Sequence, residues 1–518
     1  MKAVARAGGV EADSTARVTA RVARGEAVLQ CVHLIAGEAR SDIVRNVSNV
    51  DSSPRNRAPG AGPHRTPLHA LSAADSAWLR VDRDNNRMII TAVLTLERGV
   101  PFAKVQARLV DRLLPYPRLQ QRIVTPKFAF GVPHWEDDPD FDIARQTEVV
   151  KLDNPADQSE LESFVGGLME QSLPVDRPLW RIYYVEKYVE KYDEKYDERI
   201  TAGGRTSDSS SAGAALVVRV HHCIADGIAL LRILLSLSDE PPEITFPTAA
   251  AEWARSGKRA SFARRVALGA RTAARSIAHF ANFLVSRSDP DTRFSTPLGR
   301  TKRAAWSNPI ALEDIKQIGR ASSGTVNEVL LSAAAGALGR VLEEDPQFES
   351  GLELRGVVPV NLRGDEPLSA LGNKFGLVFM PMPVGIADSE ARLDRVRESM
   401  ARIKASPEAL GWFAMLRALG RVPTWMEALG VELFSRKATL VITSLAGPKQ
   451  QLHFCGSAIE DVMFWVPCAG NVGLGMSMLS YNGRVRLGVT ADVGQLNNPA
   501  EIASEFESEL RGSTNAGR

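Results

Sequence analysis

The stretch Val220-His221-His222-Cys223-Ile224-Ala225-Asp226-Gly227 decides how this chain is read. Before it runs Ala214-Ala215-Leu216-Val217-Val218, an apolar segment of the kind that fills a buried strand. After it comes a leucine-rich helical pattern from Ile228 to Leu237. A strand, a turn and a helix therefore meet at two histidines, with an acid and a glycine at fixed spacing behind them. Histidine titrates near neutrality and can take a proton from a hydroxyl, thiol or amine. The chain has only 8 histidines in 518 residues, so a pair at a strand end reads as a placed base. Alternation along a strand puts His222 on one face and both His221 and Cys223 on the other. Cys223 is thus a poor nucleophile for chemistry at His222, and His221 is expected to orient the turn by hydrogen bonds. Gly227 is expected to free the backbone for the turn into the helix.

Composition narrows the class. The chain carries 63 basic and 61 acidic residues, a net charge of +2 and 44% hydrophobic content. This is the balance of an ordinary globular protein; a nucleic-acid binder concentrates basic charge far more heavily. The length calls for more than one core. Four cysteines (Cys31, Cys223, Cys455, Cys468) are scattered without C-x-x-C spacing, which argues against a disulfide framework or a zinc site. No metal or cofactor is expected. No apolar run reaches the roughly 18 residues that span a bilayer. Met1-Lys2 leads into mixed Ala, Gly, Arg and Glu rather than an apolar signal core. The expected location is the cytoplasm, with any membrane contact peripheral.

Residues 1–66 are rich in Arg, Ala, Ser, Gly and Pro without periodicity, and read as a disordered leader. A first lobe is expected over 67–240, with a strand at Met88–Leu96 and a helix from Phe102 that stops at Leu114-Pro115. An insertion over 184–213 interrupts it. Tyr184 to Arg199 is a tandem repeat (YVEK, YVEK, YDEK, YDER), followed by Gly203-Gly204 and Ser207–Ser211. On a 3.6-residue helix a period of four makes a slowly winding tyrosine stripe. The segment reads as the tip of a hairpin, either a binding element or an incidental repeat expansion. Over 241–305, Phe262, Val266, Gly269, Ala273, Ile277, Phe280 and Leu284 share a helical face opposite Arg264, Arg271 and Arg275. This basic amphipathic helix reads as a linker against both lobes or as a surface resting on anionic lipid. A second lobe is expected over 306–512. There Thr325-Val326-Asn327-Glu328 has capping-box form and opens a helix of small residues. Strands follow at Leu354–Val360 and Leu377–Val384, with a hairpin signal at Asn482-Gly483. The expected fold class is α/β, two similar lobes with mixed sheets flanked by helices.

In this order the segments resemble the bacterial wax ester synthase/diacylglycerol O-acyltransferases, within the superfamily of CoA-dependent acyltransferases. The resemblance runs from about Pro67 to Leu510. It rests on Leu71-Ser72 through Asp75, Pro133-His134-Trp135 with Asp138-Pro139-Asp140-Phe141-Asp142, and Pro178-Leu179-Trp180. It continues through His221-His222 to Asp226-Gly227, Val358-Pro359-Val360-Asn361-Leu362-Arg363, Gly372-Asn373 and Gly447-Pro448. The chain departs from the family at Asn327-Glu328, where Asn-Asp is usual, and at Thr443-Ser444, where Thr-Asn is usual. Both changes bear on substrate range.

The resemblance implies two chloramphenicol-acetyltransferase-like lobes joined by a helical linker. It implies transfer of a fatty acyl group from acyl-CoA, a substrate rather than a cofactor, to a long-chain alcohol or diacylglycerol. The product is a wax ester or triacylglycerol, with contact at a membrane or lipid-droplet surface. His222 becomes the general base, with His221, Asp226 and Gly227 around it. Asp226 either meets the imidazole or binds an arginine that fixes the loop; related acyltransferases favour the arginine, and Arg118 and Arg122 are the candidates. Asn327, Thr443 and Ser444 are candidate donors to the developing oxyanion. Trp180 is either a core anchor or a substrate contact. Two other readings stand beside this one: a condensation-domain-like enzyme acting on a carrier protein, and a catalytically degenerate lipid-binding member.

Overall fold

The computed structural model describes residues 69–126, 131–188, 212–242, 288–363 and 371–516, apart from several positions between 406 and 423. The leader, most of the tyrosine repeat and the basic amphipathic segment lie outside the described residues.

The first half supplies helix α1 (Ala73–Val81), strand β1 (Ile89–Leu96), α2 (Phe102–Leu113) and β2 (Thr147–Ala156). It continues through α3 (Gln158–Met169), β3 (Trp180–Tyr188), β4 (Gly213–His221) and α4 (Gly227–Ser236). The second half supplies β5 (Lys302–Trp306), α5 (Val326–Leu342), β6 (Leu354–Asn361), β7 (Phe375–Met382), α6 (Ser389–Ala405) and α7 (Thr424–Ser435). It ends with β8 (Leu440–Ala446), β9 (His453–Phe454), β10 (Ser457–Trp465), β11 (Leu474–Tyr481), β12 (Arg484–Asp492) and α8 (Ala500–Ala516).

Two mixed sheets result. The first has the order β9-β10-β1-β4-β3-β2 and the second β7-β6-β8-β11-β12-β5. Pairing is parallel at β2/β3, β6/β8 and β8/β11, and antiparallel at the other neighbours along these two paths. The expected α/β class with mixed sheets and flanking helices is what the chain forms. The sheets are not divided where the chain is: β10, from the second half, hydrogen-bonds along β1 in the first sheet.

Every residue of β1 is buried. Ala92, Leu94 and Leu96, with Leu216 and Val218 of β4, face a core shared with α2 and α4. Val93, Ala215 and Val217 face a second core shared with α3, Trp306 and Trp465. Apolar layers on both sides explain why these strands read as continuous apolar runs rather than alternating ones. In the second lobe the capping box forms as expected. The Thr325 main-chain N–H donates to Glu328 Oε2 at 2.8 Å, and Glu328 N–H donates to Thr325 Oγ1 at 3.3 Å. The small residues of α5 let it approach the end of β7 closely: a Cβ at Gly339 would lie 2.2 Å from the Val384 carbonyl oxygen.

The repeat begins differently from the helical stripe. Tyr184 and Tyr188 belong to β3 and are buried, and the Tyr184 hydroxyl accepts from Val100 N–H at 2.7 Å. A bulge at Lys187, with φ of 59°, turns Tyr188 onto the face opposite Tyr184. Burial in the sheet overrides the four-residue period here. Tyr188 pairs with Gly213, so residues 189–212 connect the two strands of a hairpin.

Candidate active site

His222 leaves the end of β4 with its main chain held on both sides. Its N–H donates to the Met88 carbonyl at 2.7 Å, and its carbonyl accepts from Asn373 Nδ2 at 2.7 Å. Its ring stacks on Trp78 of α1, with centroids 4.5 Å apart and planes 19° apart, and Phe375 lies 5.4 Å away. His222 lines the cavity beside it. Burial pushes the imidazole below its ordinary range, while the charge of Asp226 works the other way. At neutral pH the ring is therefore neutral and able to accept a proton.

That cavity takes its walls from both lobes. Trp78, His222 and Phe464 come from the first sheet and its helix. Val357, Pro359 and Asn361 of β6, Phe375 and Leu377 of β7, and Val441, Thr443 and Leu445 of β8 come from the second. Phe434 of α7 closes one side. The lining is apolar except for His222, Asp226, Asn361 and Thr443.

His221 is buried and faces away from this cavity. Its Nδ1 accepts from Cys223 N–H at 3.1 Å, which assigns the proton of the neutral ring to Nε2. Burial, with His222 and Arg87 adding to it, pushes the ring down to about 3. Cys223 is fully buried, burial holds its thiol well above the ordinary range, and it is not part of the cavity wall.

Asp226 caps α4, with Oδ1 accepting from Ala229 N–H at 2.9 Å. Such a cap contributes about 1 kcal/mol. Its Oδ2 accepts from Arg363 Nη2 at 2.8 Å and Lys374 N–H at 3.1 Å. The arginine partner is thus Arg363, from the second lobe, and not the expected Arg118 or Arg122. Arg118 lies over the Trp135 ring at 4.3 Å, and Arg122 pairs with Glu136 at 3.2 Å. Arg363 stands 137 residues from Asp226, beyond the reach of local spacing, although it closes the Val358–Arg363 block quoted above.

Other expected positions shift as well. Gly227 has no positive φ, and a Cβ there would meet nothing within 4 Å. It lines the cavity, so its missing side chain leaves space instead of relieving a strained turn. Thr443 lies on the cavity wall with Val441 and Leu445, the same-face residues of β8, whereas alternation turns Ser444 to the other side. Asn327 sits in the first turn of α5 and is not part of the wall. Trp180 is in the core of the first lobe, its Nε1 donating to the Leu119 carbonyl at 2.7 Å, and it too is absent from the wall. Asp75, Trp78, Asn361 and Asn373 are site residues that residue-by-residue reading passed over. Three of them, Asp75, Asn361 and Asn373, lay inside the blocks that carried the resemblance.

A two-lobed mixed α/β fold, with His222 of a strand-end histidine pair facing a cavity walled by both sheets, has the architecture of the CoA-dependent acyltransferases. Among solved structures, a wax ester synthase/diacylglycerol acyltransferase from Marinobacter aquaeolei VT8 aligns with a TM-score of 0.61 at 19% identity, covering 87% of this chain and 99% of that one. The starter condensation domain of rhizomide synthetase, solved with C8-CoA and Leu-SNAC, aligns at a TM-score of 0.53 and 16% identity, covering 87% and 94%. A probable diacylglycerol O-acyltransferase of Mycobacterium tuberculosis is 27% identical over 465 residues, covering 85% of this chain and 94% of that protein. The wax ester synthase/diacylglycerol acyltransferase catalytic domain matches residues 71–188 and 210–330, and the WS/DGAT C-terminal domain matches 371–512. The chain belongs to the wax ester synthase/diacylglycerol acyltransferase family and is an acyltransferase. The family match skips 189–209, where most of the tyrosine repeat lies.

Proposed function

We propose that this protein moves a fatty acyl group from acyl-CoA to the hydroxyl of a long-chain alcohol or diacylglycerol, with His222 as general base. The observation that carries the reading is a buried, neutral His222 on the wall of an apolar cavity. The acceptor oxygen attacks the thioester carbonyl carbon as the imidazole takes the hydroxyl proton. Collapse of the tetrahedral species expels the CoA thiolate, which receives that proton, and the ester leaves. No covalent enzyme intermediate or cofactor is needed. General-base assistance of this kind contributes about 10²–10⁴-fold. Thr443, on the facing strand, is the hydroxyl proposed to donate to the oxyanion. A lipophilic acceptor has to be drawn from a lipid phase, so the working location is cytoplasmic with peripheral contact at a membrane or droplet surface. No helix among the described residues is long and apolar enough to cross a membrane.

The test supplies palmitoyl-CoA with hexadecanol or dioleoylglycerol and follows free CoA and ester. Alcohol-dependent release, reduced by about 10²-fold or more in His222→Ala, is expected. No ester with either acceptor would sink the assignment, and amide formed on a carrier protein would redirect it.

A further inference from the structure

The hydrogen bonds around His222 lead away from the cavity to a pair of buried residues that the reaction itself does not use. Asp75 and Asn373 are 3% and 4% exposed and come from opposite lobes. Asp75 Oδ1 accepts from both the main-chain N–H of Asn373, at 3.1 Å, and its Nδ2, at 2.8 Å. The same Nδ2 donates onward to the His222 carbonyl. Two donors converging on one oxygen mark Asp75 as an acceptor, and this fixes which end of the Asn373 amide turns toward His222.

The neighbouring residue extends the arrangement. Gly372, at φ of 116°, presents its carbonyl to Arg363 Nη2 at 2.6 Å and to Asp226 N–H at 3.4 Å. One dipeptide of the second lobe therefore holds the main chain of both His222 and Asp226. On the first-lobe side, Trp78 lies three residues beyond Asp75 on α1, the spacing that shares a helix face. Helix α1 thus governs the base twice: through Asp75 and Asn373 for its main chain, and through Trp78 for its ring.

We propose that Asp75 and Asn373 are a positioning pair for the transfer reaction, aiming His222 only when the two lobes are docked. Asn373 holds the His222 peptide and Asp75 holds Asn373. Neither side chain lines the cavity, so neither is a substrate-binding group. The pair acts through the base, and its role rests on the assignment of His222. A base displaced by about 1 Å loses on the order of 10²-fold in rate.

The experiment uses the full chain with palmitoyl-CoA and hexadecanol, and compares Asn373→Ala, Asp75→Asn, His222→Ala and the Asn373→Ala/His222→Ala double variant. Asn373→Ala is expected to lower kcat by about 10²-fold with KM for palmitoyl-CoA unchanged. In the double variant it should add nothing to His222→Ala, because an aiming group has no target once the ring is gone. A merely structural role would lower the folded fraction, leave kcat per folded molecule intact and add to the His222 loss. Where Asn373→Ala does not fold, Asp75→Asn, which keeps size and shape, carries the same kcat-only expectation. An unchanged kcat in either folded variant, or an additive double variant, overturns the pair. If His222→Ala itself keeps its rate, the base assignment falls first and the pair falls with it.

Discussion

Asp226–Arg363 and Asp461–Arg486 are two ion pairs of nearly equal length, 2.8 and 2.7 Å, and all four side chains are buried. Both join the first lobe to the second. Asp461 lies on β10 and Arg486 on β12, where Arg486 also donates to the Ser307 carbonyl. Asp226 lies four residues past His222, caps α4 and takes the Lys374 N–H as well. The chemistry of the two pairs is the same; their company differs. Breaking either leaves an unmatched buried charge, but only the first holds the loop that carries His222.

That difference can be broken or sharpened by experiment. Arg363→Ala and Arg486→Ala should each cost about 3–5 kcal/mol of unfolding free energy, because each strands a buried carboxylate. In the fraction that stays folded, kcat should fall for Arg363→Ala and hold for Arg486→Ala. Equal kcat losses, measured beside denaturant curves, would erase the distinction. A more gradual effect comes from acid. His221, at the end of β4, is held at about 3 in the folded chain against about 6.5 unfolded. Between those values the unfolded chain binds the extra proton, so stability should fall as pH drops from about 6.5 toward 3. His221→Gln should flatten that slope in unfolding curves taken across the range; an unaltered slope would remove His221 as its source. The smallest effect is expected from Gly227→Ala, next to Asp226. With no strained φ and an unobstructed Cβ, stability should shift by no more than about 1 kcal/mol. The added methyl enters the cavity, so acceptor chain-length preference should move. An unchanged preference would place the acceptor elsewhere.

Much of this was legible in the residues. The apolar runs gave the central strands, the Thr325–Glu328 spacing gave the helix cap, and the histidine pair at a strand end pointed to the cavity that His222 lines. What stayed hidden was long-range. Nothing local to Asp226 distinguishes Arg363 from Arg118, since the choice is made by how the lobes dock. The tyrosine repeat suggested a helix because a period of four is near 3.6, and only the bulge at Lys187 shows how a strand accommodates it. Ser444 and Thr443 are equal as sequence, and register alone turns one to the cavity. Gly227 looked like a turn glycine because its type permits strain; its backbone carries none.

The placement of β10 along β1 has a consequence for how the molecule can be cut. A fragment ending near residue 242 would contain β1 through α4 but not the strand that covers one side of β1. Its eight buried residues would then present an open row of amide and carbonyl groups on an apolar ribbon. Such an edge recruits any available strand, and the isolated half would self-associate. Supplied in trans with the remaining chain, it has one partner shaped to seal it. The two halves are therefore better regarded as a single interleaved folding unit than as modules that could be exchanged between relatives.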